Sequence, residues 1–212
     1  MMALRSGALL GCLAVTLAGG CTHVVDGVAS FPPAGRPYLN GISVDDLLLT
    51  TEELRDLTGA GLDLSDVPGM DSTQPVDNDF LLDTAPRECQ FVYRESETFR
   101  GVVQFHKTSF QTPPKSELLS EAAAAYIDPD AAGGAFTHVS DLITGCGEST
   151  SGSRYVATWT ANGDVVRARD SGDCGRIYRL AKTVLVEVTY CGYTHVIPDL
   201  VASRIASRVS PH

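Results

Sequence analysis

The sequence contains no uninterrupted apolar run of the roughly 20 residues needed to cross about 30 Å of hydrocarbon, and no internal repeat. Basic residues are scarce, 16 Lys and Arg against 26 Asp and Glu, for a formal net charge of -10. Such a surface repels phosphate backbones and anionic headgroups, which argues against nucleic-acid binding and against broad electrostatic adsorption to membranes. The five histidines, His23, His106, His138, His195 and His212, include no pair at His-x-x-x-His or similar spacing, so neither a metal site nor a cofactor is expected. Gly145-Cys146-Gly147-Glu148-Ser149 is glycine-rich but has neither the P-loop lysine nor the Gly-x-Ser-x-Gly arrangement of a nucleophile elbow. Leu62 to Asp83, dense in Asp, Gly, Ser and Pro, lacks the Asp-x-Asp-x-Asp-Gly spacing of a calcium loop and reads as a long acidic loop. Nothing in this inventory requires an enzyme.

What is present begins at the amino terminus. Met1 to Arg5 is followed by a mostly apolar stretch from Ser6 to Leu17 and then by Ala18-Gly19-Gly20-Cys21. That is the order of a secretory signal peptide. Leu17-Ala18-Gly19-Gly20-Cys21 is similar to a bacterial lipobox, with the leucine one place further back than usual. Leu9-Leu10-Gly11-Cys12 is a rival with a better three-residue match, but only six residues separate Arg5 from Cys12, below the usual apolar length of about 7 to 15. Residues 1–20 are thus expected to be a signal peptide, with a diacylglyceryl and palmitate-type lipid on Cys21. Residues 21–40 would be the lipidated terminus and a linker. Pro32, Pro33 and Pro37 with Gly27 and Gly35 make a semi-extended spacer. Removing Arg5 leaves 15 basic against 26 acidic residues, a net charge of -11, so the lipid alone must hold the chain to the extracytoplasmic face of the cell membrane. Two or three acyl chains suffice for that where one does not.

The remainder, residues 41–212, is long enough for one domain with a real core. Beyond Cys21 it carries Cys89, Cys146, Cys174 and Cys191, an even number in an oxidising compartment, so two disulfides are the default. Arg176 to Leu180 and Val184 to Tyr190 read as strands. A reversal at Ala181-Lys182-Thr183 places Cys174 opposite Cys191 and favours that bond; Cys89 and Cys146 then pair by elimination. Lys182-Thr183 is not a preferred tight-turn pair, which leaves a one-residue slip open. A second hairpin joins Tyr155 to Thr160 with Val165 to Asp170. Centred on Asn162-Gly163, it puts Trp159 opposite Val166 and Ala157 opposite Ala168. One face is then core and the other wet, with Arg167 and Arg169 projecting together from the wet side as solvated partners or as an anion-binding wall.

Thr50-Thr51-Glu52-Glu53 has capping-box spacing, with Leu54 and Leu57 inside a short helix that Gly59 ends. Cys89 to Tyr93 and Arg100 to Phe110 read as strands. Asp130 to Cys146 reads as a helix with Phe136, Val139 and Ile143 on one stripe. Pro198 to Val209 reads as another, with Leu200, Val201, Ile205 and Val209 inward and Arg204 and Arg208 outward. Ser116 to Ile127 favours helix by propensity, through Glu117 and the run Ala122 to Ala125, until Asp128-Pro129 stops it.

Taken in order, these pieces resemble the PknH-like extracellular sensor domain family of mycobacteria, which includes free-standing mycobacterial lipoproteins. The resemblance covers about Ile42 to Val209. It rests on Leu47-Leu48-Leu49-Thr50-Thr51-Glu52-Glu53-Leu54, a cysteine opening a strand at Cys89, a helix ending at Cys146, Cys174-Gly175-Arg176, Val184 to Cys191, and Ile205-Ala206-Ser207-Arg208-Val209. It implies an α+β fold, a single domain with a twisted antiparallel sheet, helices on its faces and two disulfides. It also supports both cysteine pairings, turns Ser116 to Ile127 into a strand, and adds a ligand cleft. Family members usually carry a Trp shortly before the cysteine ending the long helix. Leu142 and Ile143 stand here instead, so packing there differs.

The functional expectation is a membrane-anchored sensor-like lipoprotein that binds a small molecule or cell-envelope ligand, with Tyr155, Arg167 and Arg169 as cleft candidates. A chain with neither a kinase domain nor a spanning helix would scavenge or deliver that ligand, or present it to a membrane protein partner. The alternatives are a cell-envelope hydrolase with an unmarked tertiary site and a structural envelope lipoprotein.

Overall fold

The computed structural model describes residues 42–113 and 117–209. The signal peptide, Cys21 and the spacer therefore lie outside the described residues. Seven antiparallel strands form one sheet in the order β1-β2-β3-β7-β6-β5-β4. They are β1 (Ser65–Asp66), β2 (Gln104–Thr112), β3 (Glu117–Ala125), β4 (Thr158–Asn162), β5 (Val165–Arg169), β6 (Cys174–Ala181) and β7 (Val184–Cys191). The helices are α1 (Thr51–Thr58), the single-turn α2 (Glu95–Thr98), α3 (Pro129–Glu148) and α4 (Val196–Arg208).

Helices cover both faces of the sheet. On one, Leu54 of α1 and Val201, Ala202 and Ile205 of α4 pack on Leu119, Ala123, Ile177, Val186 and Val188. On the other, Ala132, Val139, Ile143 and Cys146 of α3 join Phe91, Phe99, Phe105, Ala122, Ala124, Tyr178 and Leu185. The second hairpin is wet along β4, where Thr158, Thr160, Ala161 and Asn162 are exposed, but β5 is covered on both faces. Val165 belongs to the α4-side core and Val166 to the α3-side core, because α4 returns across the surface that the hairpin pattern alone leaves in water.

Several elements form where local chemistry demands. Thr50 and Glu53 close a reciprocal capping box on α1, and Gly59 ends that helix at φ +67°. Asp128 caps α3, accepting from the Ala131 amide, and Pro129 occupies its first turn. Ser116 to Ile127 contributes a strand over Glu117–Ala125, paired with both β2 and β7. Alanines 122 to 125 alternate between the two cores, and their small size lets helices approach a central strand from both sides.

The hairpin of β6 and β7 keeps the expected register, Cys174 opposite Cys191. The reversal is made by Lys182-Thr183 without a slip, Lys182 itself taking φ +53°. The hairpin of β4 and β5 differs. Asn162 pairs with Val165 and Trp159 with Ala168, so the turn is Gly163-Asp164. Gly163 supplies the left-handed conformation, φ +59°, at the first turn position. Since each strand's partner moves by two residues, every side chain stays on its expected face.

Cys89 to Tyr93 is not a strand but part of a 3-10 helix, Arg87–Tyr93. The buried Cys89 and Phe91 alternate with half-buried neighbours and so mimic a strand's period of two. β2 starts at Gln104 rather than Arg100, after a turn in which Gly101 takes φ +71°. In α4, Leu200 is 47% exposed and Val201, Ala202 and Ile205 form the inward stripe. Phe136 of α3 is only partly buried, its stripe being Ala132, Ala135, Val139, Ile143 and Cys146. Arg204 faces water, but Arg208 turns back onto the Leu47 and Leu48 carbonyls and pairs with Glu53.

Two glycines of α3 make opposite predictions. A Cβ at Gly147 would lie 2.4 Å from the Trp159 ring, whereas one at Gly145 would meet nothing within 4 Å. Gly147→Ala should therefore cost about 1–3 kcal/mol through overpacking. Gly145→Ala should gain about 0.5–1 kcal/mol by raising helix propensity at an exposed position. Urea unfolding midpoints would move in opposite directions.

Candidate functional site

Two disulfides frame an opening between the 3-10 helix, α3 and the sheet. Cys89 joins Cys146, fastening the 3-10 helix to the end of α3, and Cys174 joins Cys191 across β6 and β7. Between these anchors lies a cleft of about 220 Å³, walled by Phe91, Tyr93, Ile143, Tyr155, Val156 and Ala168. The Tyr93 and Tyr155 rings meet edge to face with centroids 6.3 Å apart. The Tyr155 hydroxyl donates to the Thr84 carbonyl, which holds the ring at the rim.

The polar groups come from the α3-side face of the sheet. Period-two geometry puts Cys174, Arg176 and Tyr178 of β6 on that face, opposite Cys191, Thr189 and Glu187 of β7. Glu187 is almost fully buried and accepts from the Tyr178 hydroxyl at 3.0 Å and the Thr189 hydroxyl at 3.1 Å. Burial, reinforced by the neighbouring Glu187 carboxylate, pushes the Tyr178 phenol well above its ordinary range and keeps it a hydrogen-bond donor. Arg176 donates from Nη2 to the Val92 carbonyl at 2.7 Å and holds Nη1 3.7 Å from Glu187. Its side chain remains 26% exposed, within the cleft lining. Arg154 and Asp170 complete the charged lining. The Asp170 carboxylate accepts from the amides of Gly172 and Cys174.

Of the three cleft residues expected from sequence, only Tyr155 lines this opening. Arg167 and Arg169 project from the opposite face of β5. Arg167 forms a forked pair with Asp199 of α4, Nη2 at 2.7 Å and Nε at 2.9 Å from Oδ1, a geometry suited to fixing a helix on a sheet. Arg169 shares that face, beside the Tyr190 phenol. For Arg167 the anion-wall expectation is corrected: with α4 packed on that face, its guanidinium is spent on a carboxylate of the chain itself. The residues missed were Phe91, Arg176 and Glu187. The β6–β7 register carried a signal for two of them, since it aligns Arg176 with Thr189 and Tyr178 with Glu187 on the face of the cysteine pair.

A second, shallower groove of about 650 Å³ runs along Thr50, Thr51, Asp66, Asp71 and Thr108, and its charged lining is acidic alone. It lacks the mixed charge of the first, and Phe110 is its one aromatic lining residue. Among the described residues, no group of three or more His, Cys, Asp or Glu is placed to hold a metal ion. No helix among them is long and apolar enough to cross a membrane.

The family model of the PknH-like extracellular domain matches residues 39–210. The chain belongs to that family. In fold, this PknH-like domain is similar to the crystal structure of the extracellular domain of PknH from Mycobacterium tuberculosis, with a TM-score of 0.60 and 17% sequence identity. The likeness covers 78% of this chain and 94% of that one. No curated protein matches the sequence. Membership in a family of extracellular domains places the PknH-like domain outside the cytoplasm, the side of the membrane on which disulfides persist.

Proposed function

We propose that this chain is a lipid-anchored, extracytoplasmic binding module of the PknH-like type, taking a small molecule or cell-envelope fragment in the cleft beside Arg176 and Tyr155. The single observation that carries the reading is the cleft itself, where apolar walls and a few convergent polar groups sit on rigid, disulfide-framed elements. Concave, mostly apolar sites with few placed polar groups are where small ligands bind. The lipobox-like Leu17-Ala18-Gly19-Gly20-Cys21 supports the anchor. The disulfides support it independently, because they use Cys89, Cys146, Cys174 and Cys191 and leave Cys21 outside both pairs. An anchored binder of this kind scavenges its ligand, delivers it, or presents it to a membrane protein.

Two measurements test the parts separately. Cys21→Ser should move the protein from the membrane to the soluble fraction and remove the diacylglyceryl mass from its amino-terminal peptide. Retention on the membrane would overturn the anchor. A thermal-shift screen against envelope lipids, glycans and metabolites should raise the midpoint for at least one class, by mass action on the folded state. A flat response to the whole panel, together with turnover of an ester or peptide library, would replace binding with catalysis.

A further inference from the structure

We infer that the cleft selects a compact monoanionic carboxylate with a short apolar or aromatic body, its carboxylate held by Arg176; this rests on the reading of the cleft as a ligand site. Size is the first argument. At about 220 Å³ the cleft lies below the roughly 300–1,000 Å³ of pockets for drug-sized ligands, so the fitting group is small, whether it is free or the terminus of a larger envelope molecule.

Charge is the second. A guanidinium has five N–H donors in a planar fork matched to a carboxylate. Val92 engages Nη2 of Arg176 and the Tyr178 hydroxyl accepts a further hydrogen bond from the guanidinium, while Glu187 pairs with Nη1 at 3.7 Å, beyond hydrogen-bond reach. Those contacts aim the group without exhausting it, and its exposed quarter faces the cleft. Arg154 adds a second cation to the lining and is itself solvent-exposed.

The acids present set the anion's valence. Asp170 lies in the lining and Glu187 stands just behind Arg176. The two arginines and two carboxylates sum to zero, so each added negative charge is opposed by the acids and a dianionic phosphate is opposed more strongly than a monoanion. The walls choose the body: Phe91, Tyr93 and Tyr155 offer ring faces and edges, and Ile143 and Ala168 an aliphatic floor.

The test is an NMR titration of the full chain, following the arginine Nε–H signals and the amides of Ala168 and Thr189, with phenylacetate, its neutral analogue 2-phenylethanol, and phenyl phosphate. Phenylacetate should bind about tenfold or more tightly than either of the others and should shift the Arg176 signal. Arg176→Met should abolish that preference. Because this change strands Glu187, the double variant Arg176→Met, Glu187→Gln keeps the charge balanced and should lose the preference equally. Arg154→Met should weaken phenylacetate by a smaller factor.

If acid and alcohol bind alike, and the double variant leaves both unchanged, the carboxylate inference fails while the cleft reading stands. Tighter binding of phenyl phosphate than of phenylacetate would also overturn the inference. If none of the three moves a cleft signal, the inference and the reading beneath it fall together.

Discussion

Replacing Cys89 and Cys146 together with alanine should cost about 4 kcal/mol of stability, the larger of the two disulfide effects. The bond spans 57 residues, and loop-closure entropy in the chain-entropy model grows with the logarithm of loop length. The Cys174–Cys191 bond closes only 17 residues and should be worth roughly 3 kcal/mol in the same model. Context strengthens the difference. Cys174 and Cys191 are already opposed by a hydrogen-bonded hairpin. Cys89 sits on a 3-10 helix whose packing against α3 depends on buried contacts of Cys89 and Phe91. Urea unfolding of the two double variants should rank them in that order, and the Cys89 and Cys146 variant should also lose ligand response, since Phe91 lines the cleft. Equal midpoints would show that the unfolded chain gains little freedom from the longer loop.

Glu121→Gln should abolish a loss of stability that the wild-type protein suffers between pH 5 and pH 9. Glu121 is fully buried on β3, with Oε1 accepting from the Leu49 amide at 2.7 Å and Oε2 without a hydrogen-bond partner. Burial pushes its carboxyl up to about 8, against the opposing pull of the Leu49 amide, the Thr108 hydroxyl and the Arg208 charge. The folded protein therefore holds a proton that the unfolded chain has already released above its ordinary value of 4.5. Where the native state binds more protons, stability falls as pH rises. The whole effect is in place once pH passes 8 and is absent below 4.5. At about 1.4 kcal/mol per unit, it amounts to some 5 kcal/mol at most. Glutamine keeps the shape and cannot ionise, so the melting temperature of the variant should exceed that of the wild type at pH 9 and converge with it near pH 5. Glu53, held below its ordinary value chiefly by its hydrogen bond to Arg208, acts with the opposite sign and only in acid, outside this window. Parallel pH profiles for wild type and variant would refute the assignment.

The pieces legible in sequence were those set by neighbours a few residues apart. The capping box at Thr50, the break at Asp128-Pro129 and the β6–β7 register all depend on contacts within a turn or across a tight reversal. Cys89 to Tyr93 misled because a 3-10 helix with Cys89 and Phe91 buried reproduces strand alternation. The alanine run of β3 misled propensity for the opposite reason. Its conformation is decided by two partner strands and two helix layers, and the family resemblance identified it where local preference did not.

The candidate site divides along the same line. Tyr155, expected from sequence, lines the cleft, whereas Arg176 and Glu187 went unread although the β6–β7 register aligns them with the face of the cysteine pair. Arg167 is paired away because α4 lies some 30 residues further along the chain, and nothing local announces that Asp199 will engage it.

Sequence by itself thus determined the cysteine pairing, the hairpin faces, the single α+β domain and the family, because alternation and turn chemistry act over short separations. Tertiary structure alone decided which arginine lines the cleft and which is paired with a helix. It also decided that Glu121 lies buried and that both faces of the sheet are covered, since charge pairing and desolvation depend on what packs across the sheet rather than on what comes next in the chain.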